Sequence, residues 1–180
     1  MQPITSAASY DRQTIVLHWA TALLVAGLWV AGQTIDAFPN GAPRVFARSC
    51  HIVFGTALGL LLVYRIFWRA AGGRRLPAAD GGLLGLAGTA AHYALYALLI
   101  GAIVSGIANT LVRGDNLFNW YSIPSVAPGN RALRGQVGGA HEVIVNLLPL
   151  LALLQAAAAL AHRFIWRDGV LARMWPPRAL

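Results

Sequence analysis

Residues 13–35, QTIVLHWATALLVAGLWVAGQTI, run for 23 positions without a charge and carry one histidine, His18. A helix needs ~20 predominantly apolar residues to cross the hydrocarbon core of a bilayer. The stretch therefore reads as a transmembrane helix with one ionisable side chain inside it. Three further stretches match it. Residues 49–64 are uncharged, and Arg65 can snorkel so that the segment reaches about residue 68. Residues 89–111 are uncharged for 23 positions and residues 143–161 for 19. Lipid admits only helices or closed barrels, and runs this apolar lack the alternation of barrel strands. The first run is too long for a signal peptide and has only Arg12, beside Asp11, at its start, so it is expected to be retained.

The expected fold class is all-α, an integral membrane four-helix bundle. One domain covers residues 1–180, with spans at about 13–35, 49–68, 89–111 and 141–163. The tail from Arg163 to Trp175 alternates arginine with Trp166, Val170, Leu171 and Met174, the pattern of a short C-terminal interfacial helix. The longest connection, residues 113–139, holds Pro124, Pro128 and several glycines and reads as an ordered cap or a short surface helix.

Composition agrees with the spans. Only 11% of the 180 residues are charged and 57% are hydrophobic, against roughly 25% charged in a soluble domain. The formal charge is +8, and every basic residue is an arginine. Such an excess can signal nucleic acid, but the arginines sit at the ends of apolar runs, and no nucleic-acid-binding fold is built of continuous apolar spans. They read as topology signals instead. Arg12, Arg65, Arg69, Arg74, Arg75, Arg163, Arg167, Arg173 and Arg178 fall on one side, and Arg44, Arg48, Arg113, Arg131 and Arg134 on the other. The positive-inside rule then places both termini in the cytoplasm, with Trp68, Trp166 and Trp175 in the inner aromatic belt and Trp120 and Tyr121 in the outer one. The single cysteine, Cys50, excludes an internal disulfide and a C-x-x-C-H attachment site, so any heme would be held without a covalent link.

All five histidines, His18, His51, His92, His141 and His162, lie in or at the ends of spans. Ionisable groups inside a bilayer are rare and mark function. One alone reads equally well as a packed, hydrogen-bonded residue; five in four helices do not. His18 and His92 lie at similar depths in spans one and three, which run the same way, so both fall near the inner side. His51 and His141 begin spans two and four, which run back, so both fall near the outer side. Antiparallel spans thus sort four histidines into two facing pairs. Counting 14 residues on from His141, the inner level falls near Gln155, roughly 21 Å away at 1.5 Å per residue. Two b-type hemes, each with two imidazole ligands, need such an arrangement. Gly55 and Gly59 follow His51 on one helical face, and Gly106 lies 14 positions after His92. They leave room for a flat macrocycle, or serve plain helix packing by small residues. Zinc is the rival ligand, but structural zinc prefers close ligand pairs and the sequence has no H-x-x-x-H.

The segments IVLHW (15–19), CHIVFG (50–55), AHYALYALLIGAIVSG (91–106), RGDNLFNWYSIPS (113–125), AHEVIVNLLPLLALL (140–154) and AAAALAHRFIWRDGVLARMWP (156–176), in this order, resemble the bacterial cytochrome b561 family. These are small di-heme, quinone-linked cytochromes that include superoxide oxidase. The resemblance implies His18, His51, His92 and His141 as axial heme ligands. Members of this type often carry another histidine midway along span four, where this sequence has Gln155. That favours His18 with His92 for the inner heme and leaves Gln155 to hydrogen-bond a heme or a quinone. His162 matches a family position near the cytoplasmic quinone site, where an imidazole can relay protons. The activity implied is superoxide:ubiquinone oxidoreduction, with superoxide taken at the outer face, where Arg44, Arg48, Arg113, Arg131 and Arg134 would steer an anion. The partners implied are the lipid bilayer, ubiquinone and superoxide. The alternative is a cytochrome b anchor subunit passing electrons to quinone from a redox partner protein, a dehydrogenase or hydrogenase.

Overall fold

The computed structural model describes residues 9–77 and 81–175; Arg178, counted above among the inner arginines, lies outside them. Four long helices dominate: α1 Arg12–Thr34, α2 Ala42–Ala71, α3 Gly82–Arg113 and α4 Arg131–Ala161. All four are long and apolar enough to cross a membrane. They pack in a ring, α1 on α2, α2 on α3, α3 on α4 and α4 back on α1. α1 and α3 therefore stand diagonally opposite, as do α2 and α4.

α1 matches the uncharged stretch that predicted it to within a residue, whereas α2, α3 and α4 outrun theirs. α2 begins about two turns before residue 49, and α4 starts at Arg131 rather than near residue 141. The reason is local. The polar ends emerge from lipid, and caps rather than charge boundaries stop the helices. Asp11 caps α1 by accepting from Thr14 N–H at 2.8 Å, and Asn130 caps α4 through Leu133 N–H at 3.0 Å. α3 ends at Gly114, whose φ of +69° is the left-handed C-terminal cap; a Cβ there would also stand 3.0 Å from Ser125 Cβ.

The connection after α3 is an ordered cap, and its regular part is a two-stranded hairpin. β1 Asn116–Leu117 pairs with β2 Tyr121–Ser122, and Phe118 and Asn119 turn between them with positive φ. A surface helix does not form there; the helical residues of this stretch belong to the start of α4. At the other end, α4 runs into a π-helical turn, His162–Trp166, and the chain reverses at Arg167, also left-handed. The short C-terminal helix is a single 3-10 turn, Leu171–Met174. It is tied to the bundle by three bonds: Tyr10 N–H to Arg173 O at 3.0 Å, Trp19 Nε1 to Met174 O at 3.0 Å, and Arg173 Nη1 to Pro77 O at 2.8 Å.

Leu58 and Leu62 of α2, Leu99 of α3 and Leu148 of α4 form the buried core, with Leu24, Val25 and Leu28 of α1 against it. Leu58, Leu99 and Leu148 each lie seven positions after a histidine: His51, His92 and His141. The core is therefore an apolar plug midway between the two histidine levels, roughly 10 Å from each at 1.5 Å per residue. Outward-facing Leu, Val, Ile and Phe side chains cover the rest of the helices and are solvated by lipid.

Candidate heme and redox site

The hairpin-side level is built on α2 and α4. His51 and His141 face each other across the diagonal, within Coulombic reach. Both line a cavity of about 670 Å³ with Gly32, Gly55, Gly106 and Arg48. That size falls in the range of cofactor pockets, ~300–1,000 Å³. Three glycines shape it. A Cβ on Gly32 would stand 3.3 Å from His51 Cε1, and one on Gly106 would stand 3.2 Å from His141 Cε1, while Gly55 faces open space. Gly59 has a different role, since its Cβ would meet Ile103 at 3.3 Å, which is helix packing.

The ring nitrogens at this level are set for ligation. Ser105 Oγ donates to Ala102 O at 3.2 Å and stands 2.9 Å from His141 Nδ1. With the hydroxyl proton so used, Nδ1–H donates to Oγ and Nε2 is left bare, the tautomer that binds iron. The Leu28 carbonyl approaches the His51 ring, but His51 Nδ1 is buried without a hydrogen bond of ordinary geometry. A buried imidazole nitrogen in that state is short of a partner.

Arg48 and Arg113 stand at the mouth of this cavity with Asp36 and Asp115. Asp115, only 9% exposed, takes Arg113 Nε at 3.3 Å and Arg48 Nη1 at 3.9 Å. Arg44 donates to the Asp36 and Phe38 carbonyls and closes the α1–α2 turn, and Arg134 donates to Arg113 O at 3.1 Å. Arg131 is exposed at the first position of α4. The five arginines thus surround one face, with only Arg48 and Arg113 lining the cavity. Cys50 is half-buried with a free thiol.

The second level lies at the end that carries the termini. His18 of α1 and His92 of α3 are diagonal and within Coulombic reach of each other. His92 Nδ1 donates to Gly88 O at 2.7 Å, so its Nε2 is bare. Gln155 Nε2 donates to that nitrogen at 3.3 Å. Gln155 stands 14 positions after His141, so α4 reaches the second level where the count along the helix put it. His18 Nδ1 stands 3.4 Å from Arg65 Nη2.

His162 lies beyond this level, on the π-helical turn. Its Nδ1 is 2.5 Å from Asp168 Oδ2, and its ring packs on Trp166 with centroids 4.5 Å apart. That hydrogen bond, against a small opposing effect of burial, holds the Asp168 carboxyl below its usual range.

The chain as a whole is matched by known proteins. The model of prokaryotic cytochrome b561 matches residues 9–177. The chain belongs to the prokaryotic cytochrome b561 family. It is 28% identical to cytochrome b561 homolog 2 of Escherichia coli K12 over 174 residues, covering 92% of this chain and 90% of that one. It is 28% identical to cytochrome b562 of Cereibacter sphaeroides, with 97% of this chain and 100% of the other covered. Probable superoxide oxidase CybB of Yersinia pestis is 27% identical, with 94% and 97% covered.

As a b561 cytochrome the chain is a bacterial membrane protein that binds b-type heme and transfers electrons. The residues at the hairpin-side level fit that group: a glycine-walled cavity lined by the imidazoles of His51 and His141, with the Nε2 of His141 bare, is what a macrocycle with imidazole ligands requires. Sequence reasoning missed Gly32, Ser105 and Asp168. Gly32 was hidden because only its contact with a ring on another helix gives it meaning. Ser105, one residue from Gly106, was visible as a hydroxyl inside an apolar span.

Proposed function

We propose that this cytochrome carries electrons across the membrane through two b-type hemes, oxidising superoxide at the periplasmic face and reducing ubiquinone at the cytoplasmic face. Both termini lie in the cytoplasm, as the arginine distribution favours. The observation that carries the reading is the sorting of four imidazoles into two diagonal pairs at the two ends of the bundle, with an apolar plug between them. When bound, the hemes supply one-electron carriers at two depths.

The chain's own residues do the rest. His51 and His141 would hold the outer group, with Ser105 keeping His141 in the ligating tautomer. His18 and His92 would hold the inner one, with the Gly88 carbonyl keeping His92 in its tautomer. Leu58, Leu99 and Leu148 exclude water between the levels. Arg48 and Arg113, with Arg44, Arg131 and Arg134 around them, give the outer face a positive field that concentrates a small anion. Two superoxide anions give up one electron each and leave as dioxygen. One ubiquinone takes the two electrons and two protons. His162 relays those protons from the cytoplasm, oriented by Asp168. Gln155, which already donates to a nitrogen acceptor, would hydrogen-bond a quinone or the inner heme.

A second reading makes the chain an anchor for a dehydrogenase or hydrogenase. What favours it is the hairpin tip, where Trp120 is 94% exposed beside exposed Tyr121. Stopped-flow heme reduction by superoxide, with and without ubiquinone, separates the two. Fast reduction by superoxide and quinone-dependent reoxidation in the purified chain support the oxidase. Inertness to superoxide, with a second chain co-purifying, supports the anchor.

A further inference from the structure

The cavity between His51 and His141 has two chemically different ends. Its floor is apolar, formed by Leu58, Leu99 and Leu148 of the leucine plug. Its rim, beside Leu117 of the hairpin, is cationic, with Arg48 and Arg113 lining it. Both arginines lie on helical stripes that face the cavity. Arg48 stands three positions before His51 on α2, and Arg113 seven positions after Gly106 on α3, spacings that return a helix to the same face.

The donors of these two guanidiniums are unspent. The side chains are 24% and 32% exposed, so protein covers most of each. Yet among the described residues neither donates a hydrogen bond of ordinary geometry. Arg48 makes loose ion pairs, at 3.9 Å to Asp36 and 3.9 Å to Asp115, and Arg113 makes one, at 3.3 Å from Nε to Asp115. Arg44 and Arg134 differ, since they spend donors on the carbonyls of Asp36, Phe38 and Arg113. A guanidinium carries five N–H donors and no acceptor, and a largely covered one without hydrogen bonds is costly. The rim therefore lacks an anionic acceptor with several oxygens, and the floor below it wants an apolar surface. A b-type heme has this polarity, with two carboxylates on one edge and methyl and vinyl groups on the other.

We propose that Arg48 and Arg113 bind the two propionates of the heme held by His51 and His141, so that the macrocycle stands with its acid edge under the hairpin and its apolar edge on the leucine plug. The assignment rests on the reading of this level as a heme site. It makes the two arginines positioning residues: they fix the rotation of the macrocycle about the iron–imidazole axis. The planar fork of arginine takes a carboxylate bidentately, which lysine does not. Asp115, 9% exposed and paired with both, keeps the guanidiniums turned to the rim.

The test follows heme transfer from the purified full-length holoprotein to an acceptor apoprotein, with resonance Raman of the propionate modes, in wild type, Arg48→Gln and Arg113→Gln. The outer heme is the signal that His51→Ala removes. Each glutamine variant should lose that heme faster, on the order of tenfold for one charge-assisted hydrogen bond removed, and should shift its propionate band. Arg48→Lys should recover part of the retention but not the band, because the charge returns without the fork. Reconstituted with heme dimethyl ester, which has no carboxylates, wild type and variants should lose the outer heme at one common rate. If a glutamine variant does not assemble, wild type loaded with heme or with the ester decides the matter: the ester should leave about tenfold faster, and equal retention would overturn the assignment. Arginines that serve only to attract an anionic substrate would leave loss rate and band unchanged by either glutamine, and a variant that still differs from wild type with the ester acts through packing; either result overturns the assignment. A His51→Ala variant that keeps every heme signal would contradict the heme reading of this level rather than the role of the arginines.

Discussion

At the scale of single residues, the narrowest tolerances surround the imidazoles. A Cβ at Gly106 would stand 3.2 Å from His141 Cε1, closer than ordinary van der Waals contact. Valine there must push the ring off its Ser105 hydrogen bond or rotate it out of the cavity. Gly106→Val should therefore cut outer heme occupancy by at least tenfold, the scale on which ligand orientation matters, with the inner heme retained. The heme-to-protein ratio and low-temperature spectra check this, and equal loss of both hemes would point to a folding defect instead. Asp11 supplies a pH-dependent prediction. Partial burial works against its charge. The Thr14 hydroxyl and N–H, the Arg74 N–H and the Trp68 indole outweigh that and hold the carboxyl well below its usual value of 3.8. A depressed carboxylate contributes stability that is present above the unfolded value and is lost as pH falls through the folded one. Wild-type melting temperature should thus decline below about pH 4. Asp11→Asn should be flatter over that window and less stable at neutral pH, because the amide keeps the cap but loses the carboxylate charge and one of the two oxygens that accept from Thr14, Trp68 and Arg74. Thermal melts of both across pH 2–7 measure it. Sequence reasoning reached the four ligand candidates because a histidine in an apolar run stands out by itself. It did not reach Gly32 or Asp168, whose meaning lies in a ring contributed by another element.

Among the elements, the hairpin does the most with the fewest residues. Ser49 of α2 is fully buried, accepts from Phe118 N–H at 2.8 Å and donates to Val45 O at 2.7 Å. One hydroxyl thus pins β1–β2 over the end of α2, two residues from His51. Ser49→Ala strands a buried N–H, which costs about 1–3 kcal/mol. The loosened hairpin should exchange its amide hydrogens faster and raise the dissociation rate of the outer heme alone. Hydrogen exchange and heme-transfer kinetics to an acceptor apoprotein would show it; unchanged exchange at residues 116–122 would mean that the hairpin is held by something else. The four helices were legible from charge-free runs. The hairpin was not: four paired residues between a proline-rich stretch and two helix ends leave too short a pattern, and the positive φ of Phe118 follows from the turn rather than from the side chain. The helix ends were misjudged for the same reason. Arginines that bound an apolar run need not bound the helix, and Arg44, Arg48, Arg131 and Arg134 all lie inside one.

Across the whole molecule, topology turns single histidines into pairs. A ring of antiparallel helices puts α1 opposite α3 and α2 opposite α4, so residues at equal depth on diagonal helices face one another across the bundle axis. His18 meets His92 and His51 meets His141. The leucine plug between them keeps water from joining the two faces, while electrons need no such channel. Gln155 occupies the point on α4 where a further ligand would compete with His18 or His92, and its amide donates to the His92 nitrogen instead. The central claim is therefore one of stoichiometry and address: two hemes, each tied to one diagonal. The most direct measurement is the heme-to-protein ratio, with electron paramagnetic resonance of the ferric signals, in purified wild type, His51→Ala and His18→Ala. The account predicts two bis-imidazole hemes in wild type, loss of one signal in His51→Ala and loss of the other in His18→Ala. A single heme in wild type, or the same signal lost in both variants, would contradict it.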